Sequence, residues 1–168
     1  MTETRFDQIL KLLNSGGIRC IVIGGVAAMG HGNTRATFDV DVVYSRDREN
    51  IRKLADLLGP HHAYLRGAPE GLPFTWDEKT IRMGLNFTLT TDLGDLDLLG
   101  EVVGAGNYDQ LLPHSEEMVL FGVPCRVATL DRLIQMKRAA GRPKDMLVLA
   151  ELQALAEERR NRGGGGGS

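Results

Sequence analysis

The stretch Phe38-Asp39-Val40-Asp41-Val42-Val43 sets two carboxylates at alternating positions in an otherwise apolar run. In a strand, successive side chains point to opposite faces, so Asp39 and Asp41 share one face while Phe38, Val40 and Val42 take the other. Neighbouring carboxylates repel and raise each other's pKa unless a cation lies between them. Hard oxygen donors at this spacing suit Mg²⁺ or Mn²⁺. The pair therefore reads as part of a divalent-metal site.

Standing alone, an Asp-x-Asp is commonly the solvent face of an edge strand. Here it follows Cys20-Ile21-Val22-Ile23-Gly24-Gly25, an apolar strand that runs into a glycine pair. Gly24 and Gly25 by themselves would make a tight turn. At the start of a helix they also let backbone N–H groups approach a triphosphate with no Cβ in the way. A third acid on a neighbouring strand would complete the site, and Gly94-Asp95-Leu96-Asp97-Leu98-Leu99 offers two candidates on one face. Asp95 lies nearer the turn at Asp92-Leu93-Gly94 and is suited to capping it. Asp97 is the expected third carboxylate.

Triphosphate charge needs basic partners. Arg35, just before the acidic strand, and Lys137 are the preferred pair, with Arg138, Arg142 and Lys144 as further candidates. Basic residues near a helix end also answer the helix dipole while staying in water. The histidines His31, His61, His62 and His114 lack metal-ligand spacing and are expected to be plain surface groups. Phe74 and Trp76 could stack a base but are read as cover for the edge of the core.

The elements that must position these groups follow from periodicity. Apolar residues at helical spacing predict a helix over residues 4–13, and residues 18–23 form the first strand. A short helix is expected over 26–29, the acidic strand over 38–44 and an amphipathic helix over 47–58. A polar loop rich in glycine and proline comes next. Residues 81–91 and 95–102 then read as an antiparallel strand pair. A short helix around 108–112 precedes a hairpin turned at Gly122. A helix over 130–140 and another beginning near Pro143 finish the domain. The predicted class is a mixed α/β (α+β) domain over residues 1–162, a short mixed sheet flanked by helices with two helices at its C-terminal end. Residues 163–168, Gly-Gly-Gly-Gly-Gly-Ser, are read as a flexible tail outside it, native or appended.

Composition narrows the setting. The chain has 168 residues, 42% of them hydrophobic and 25% charged, enough for one hydrophobic core. No apolar run approaches the ~18 residues of a membrane span, and the first residues lack the build of a signal peptide, so the expected location is cytoplasmic, away from membranes. Cys20 and Cys125 are the two cysteines, with no Cys-x-x-Cys, which argues against a disulfide framework or zinc site. A formal net charge of -2 leaves room only for local contacts with nucleic acid.

Gly24-Gly25, thirteen intervening residues, then Asp39-Val40-Asp41 resembles the glycine-pair and Asp-x-Asp pattern of the polymerase-β-like nucleotidyltransferases. GGVAAMGHGNTRATFDVDVV, NFTLTTDLGDLDLLGEV and LIQMKRAAGRPKD are similar to stretches of small bacterial members of that superfamily related to abortive-infection and toxin–antitoxin nucleotidyltransferases. The resemblance implies a nucleoside triphosphate substrate and two metal ions held by Asp39, Asp41 and Asp97. Nucleotidyl transfer to an RNA end, a protein or a small-molecule hydroxyl would follow, with a cognate toxin or antitoxin as a partner. Two alternatives are an inactive module of this fold that binds a partner, and an antibiotic-modifying enzyme.

Overall fold

Alternating apolar residues make strands and apolar residues three or four apart make helices, and the computed structural model, which describes residues 3–165, follows that pattern. In chain order the elements are α1 (Phe6–Ser15), β1 (Cys20–Ile23), α2 (Gly24–Gly30), β2 (Asp39–Tyr44), α3 (Arg48–Leu58), β3 (Tyr64–Leu65), α4 (Glu78–Met83), β4 (Asn86–Thr91), β5 (Gly94–Leu99), β6 (Glu101–Val102), β7 (Gly106–Asn107), α5 (Tyr108–Leu111), β8 (Ser115–Leu120), β9 (Val123–Ala128), α6 (Leu130–Ala140) and α7 (Pro143–Gly165). Helix α7 runs into the glycine-rich tail, and residues 166–168 lie outside the described residues.

Seven strands form one mixed sheet in the order β3-β4-β5-β2-β1-β9-β8, and β6 with β7 makes a separate two-stranded ribbon. Within the large sheet β2 pairs in parallel with β5 and β1 with β9, while the other neighbours are antiparallel. The expected mixed α/β architecture is thus the observed one, with strand pairs β4–β5 and β8–β9 antiparallel as the turn signals indicated. No helix among the described residues is long and apolar enough to cross a membrane.

One face of the central strands is the core. Val40, Val42, Leu96 and Leu98 on that face are all completely buried, as is Leu89 of β4, in register with Leu96. Asn50 of α3, 1% exposed, fastens that helix to the sheet. Its Oδ1 accepts from the Arg19 N–H at 2.8 Å, and its Nδ2 donates to Ser45 O at 2.7 Å and Arg19 O at 3.1 Å. Both polar atoms of the Asn50 amide thus have partners, which offsets the desolvation cost of burying it.

Five expectations need correction. The strand expected over 95–102 ends at Leu99, and Glu101–Val102 pairs instead in the separate ribbon. Ile81 belongs to α4 rather than to a strand, because the Asp77 side chain caps the Thr80 N–H and winds Glu78–Met83 into a helix. The strand starts only at Asn86. The loop rich in glycine and proline contains β3, which pairs with β4 and extends the sheet. Phe38 precedes β2 and is 79% exposed, so it does not join Val40 and Val42 in the core. His31 is 5% exposed rather than a surface group. Its Nε2 lies 2.8 Å from Ala128 O, and Arg159 approaches its Nδ1 at 2.9 Å.

Trp76 is read correctly as core cover: it is 8% exposed, stacks edge-on against Phe87 and donates from Nε1 to Leu54 O at 3.1 Å. Leu96 is fully buried on β5 between β4 and β2. Truncating it leaves a cavity in the layer that backs the acids, so Leu96→Ala is expected to cost about 2–5 kcal/mol in urea unfolding. An unchanged unfolding midpoint would show that this apolar ladder does not hold the central strands.

Candidate active site

The strand pairing brings the acids together. In the parallel β2–β5 register, Asp39 lies opposite Asp95 and Asp41 opposite Asp97, forming two rungs of carboxylates on one face. Asp39, Asp41 and Asp97 each present an oxygen within 4.8 Å of the other two. Asp95 is on the same face but outside that group of three.

Crowding shows in their protonation. Asp41 is pushed up from 3.8 to about 8, first by burial, then by the charge of Asp39 and by a hydrogen bond and charge from Asp97, with Lys137 opposing. Asp39 is also raised, mainly by burial and then by Asp97, while Arg66 pulls it back. Three converging carboxylate oxygens, with Asp39 and Asp41 both raised, fit a hard divalent cation, whose charge would remove the conflict.

Gly24 and Gly25 open α2 directly after β1, where Ile23 pairs with Asp41. Gly24 has φ +69°, and a Cβ there would sit 2.1 Å from Asp41 Oδ2. A Cβ on Gly25 would sit 2.5 Å from Thr37 Oγ1. The glycine pair thus lets the start of a helix press against the acidic strand, a packing role that the sequence reading did not include.

Beside this contact lies a cavity of about 300 Å³ whose lining includes Gly24, Gly25, Thr37 and Asp41. Its basic members are Arg35, Lys137 and Arg142, and its apolar wall includes Val102, Leu133, Met136, Val148 and Leu152. Five of the seven sequence-selected residues therefore border one cavity, and the other two, Asp39 and Asp97, complete the carboxylate group with Asp41.

The cations are held by carboxylates of α7. Arg35 donates to Glu151 Oε1 at 2.6 Å and Oε2 at 3.2 Å. Lys137 reaches Asp145 Oδ1 at 3.4 Å, and Arg142 donates to Asp145 Oδ2 at 2.7 Å. Asp145, only 3% exposed, is held down at about 2, chiefly by the hydrogen bond from Arg142. It orients both cations toward the cavity rim.

Sequence reasoning missed Arg66. This residue follows β3, and its guanidinium crosses β4 to the acidic face. Nη2 donates to Asp97 Oδ1 and to Leu89 O, each at 2.7 Å, Nε lies 3.3 Å from Asp95 Oδ2, and Nη1 lies 3.7 Å from Asp39 Oδ2. A two-residue strand has no readable period, so nothing local marked Arg66.

The arrangement of strands and helices is that of solved nucleotidyltransferase-like folds. The structure of a protein from Thermotoga maritima described as a putative nucleotidyltransferase superposes with a TM-score of 0.56 at 13% identity, over 89% of this chain and 90% of that one. The antibiotic-resistance factor ANT(2'')-Ia superposes with a TM-score of 0.51 at 16% identity, over 95% of this chain and 91% of that one. No protein-family model and no curated protein matches the sequence.

Two outcomes follow from the geometry. Gly24→Ala places a methyl inside the Asp41 carboxylate at a positive φ, so a loss of about 1–3 kcal/mol is expected in urea unfolding, and stability equal to the parent would refute the contact. Between its ordinary value of 3.8 and about 8, folded Asp41 keeps a proton that the unfolded chain releases. Stability from this group is therefore present below the lower value and lost as pH rises through the upper one. Without divalent ions, Asp41→Asn is expected to flatten that decline and to melt a few degrees higher than the parent at pH ~8; parallel melting curves across the range would contradict it.

Proposed function

We propose that the protein is a metal-dependent nucleotidyltransferase that moves a nucleoside monophosphate from a nucleoside triphosphate to a hydroxyl acceptor. The observation that carries this reading is the convergence of Asp39, Asp41 and Asp97 within 4.8 Å, beside a cavity bordered by Gly24, Gly25 and Lys137. Those three carboxylates would hold Mg²⁺ or Mn²⁺, which when bound would neutralise phosphate charge and favour in-line displacement at the α-phosphorus.

The chain's own residues supply the rest. Lys137 and Arg35 offer charge-assisted hydrogen bonds to phosphate oxygens, and Asp145 and Glu151 aim them. The wall formed by Leu133, Met136, Val148 and Leu152 keeps water from one side of the cavity. Asp97, a member of the carboxylate group, would accept the acceptor hydroxyl's proton.

Acceptor chemistry separates the finer readings. The resemblance of the sequence motifs favours an RNA end or a protein in a toxin–antitoxin pair. The likeness to ANT(2'')-Ia supports a small-molecule hydroxyl, and because this chain covers 91% of that one, its length suffices for a domain of that kind. A module that only binds a partner would leave the converged carboxylates without a task.

Incubation with labelled nucleoside triphosphates, Mg²⁺ or Mn²⁺ and candidate acceptors tests the proposal. Divalent-dependent nucleotide binding and label transfer are expected, with transfer by Asp41→Asn reduced by about two orders of magnitude or more. Absence of nucleotide binding and of any metal effect, with Asp41→Asn indistinguishable from the parent, would sink it.

A further inference from the structure

The acidic face already contains a cation. Arg66 reaches Asp97, Asp95 and Asp39 at 2.7, 3.3 and 3.7 Å, contacting both rungs of the ladder formed by β2 and β5. Its backbone N–H is fastened to Thr88 O at 3.0 Å, and its Nη2 is shared between Leu89 O and Asp97. The guanidinium is thus aimed from the sheet edge rather than waving in solvent. Its Nε has no properly aligned hydrogen-bond partner although it faces Asp95, so the arginine is held there by charge more than by ideal geometry.

Charge balance gives this placement a consequence. Asp39, Asp41, Asp95 and Asp97 together carry four negative charges when ionised, Arg66 supplies one positive charge, and Lys137 and Arg142, which share the single negative charge of Asp145, supply a net one more at the cavity. What remains matches one divalent ion rather than two. Asp41 has no ion pair with Arg66, and Lys137, the cation that approaches it from the cavity, is itself paired with Asp145, so the cavity side of the group is the less compensated one.

We propose that Arg66 is the resident counter-cation of the carboxylate site: it positions Asp97 and Asp39 and competes with divalent ions for them, so that the nucleotide-free protein binds one such ion, weakly. This inference rests on the metal-binding part of the functional reading above. Arginine suits the role because it cannot lose its proton and its planar fork spans two carboxylates at once. Removing it leaves half-buried like charges uncompensated, and a divalent ion is a species that can relieve them.

Mn²⁺ binding, followed by the spin-resonance signal of the free ion and by the rise in Tm that Mn²⁺ produces, is the test. The parent is expected to bind one Mn²⁺, and Arg66→Gln to bind it at least about tenfold more tightly with a larger Mn²⁺-induced rise in Tm. Arg66→Lys, which keeps the charge but loses the fork, should fall between them. If Arg66→Gln does not fold without metal, Arg66→Lys decides: tighter binding than the parent supports the proposal, and equal or weaker binding overturns it. Binding by the parent with equal or weaker binding by Arg66→Gln overturns the role of Arg66 and leaves the metal site standing. Binding by neither protein overturns both.

Discussion

The parallel register of β2 with β5 is the constraint on which the site depends. It sets Asp41 beside Asp97 and Asp39 beside Asp95, and the same register stacks Val40 on Leu96 and Val42 on Leu98 across the reverse face. Burial of those four apolar side chains, all with no exposed surface, favours the alignment that forces the acids together. Slipping the pairing by one residue would turn carboxylates into the core, so the core specifies the site as firmly as it specifies the sheet.

Electrostatic tension created on one face is answered from several directions. Lys137 approaches Asp41 from α6, and Arg66 approaches Asp97 from the strand edge. Gly24 removes a Cβ that would otherwise occupy the position of the Asp41 carboxylate. The basic residues are in turn restrained by Asp145 and Glu151 on α7, which places the last long helix among the supports of the cavity. Functional sites commonly hold such unfavourable charge arrangements because the rest of the fold is stable enough to maintain them.

Legibility in the sequence tracked the range of the interaction. The acidic strand, the strand carrying Asp97 and the helix carrying Lys137 are long enough for their period or caps to show. Strand β3 has two residues, and the turn that makes α4 depends on one capping aspartate, so both were hidden in or beside the polar loop. Phe38 shows the opposite error: alternation was extended one residue beyond the strand, although pairing begins only at Asp39. His31 looked like a loop residue because neither Ala128 nor Arg159 is near it in sequence.

Local order alone determined that Asp39 shares a face with Asp41 and Asp95 with Asp97, because side-chain alternation belongs to each strand by itself. It also marked the glycine pair and the two closing helices through backbone preference and caps. Only the tertiary structure decided which strands are neighbours, in what register the carboxylates meet, and that Arg66, 31 residues before Asp97, completes their surroundings. Those outcomes depend on burying apolar faces contributed by distant segments, a collective property that no single stretch of sequence displays.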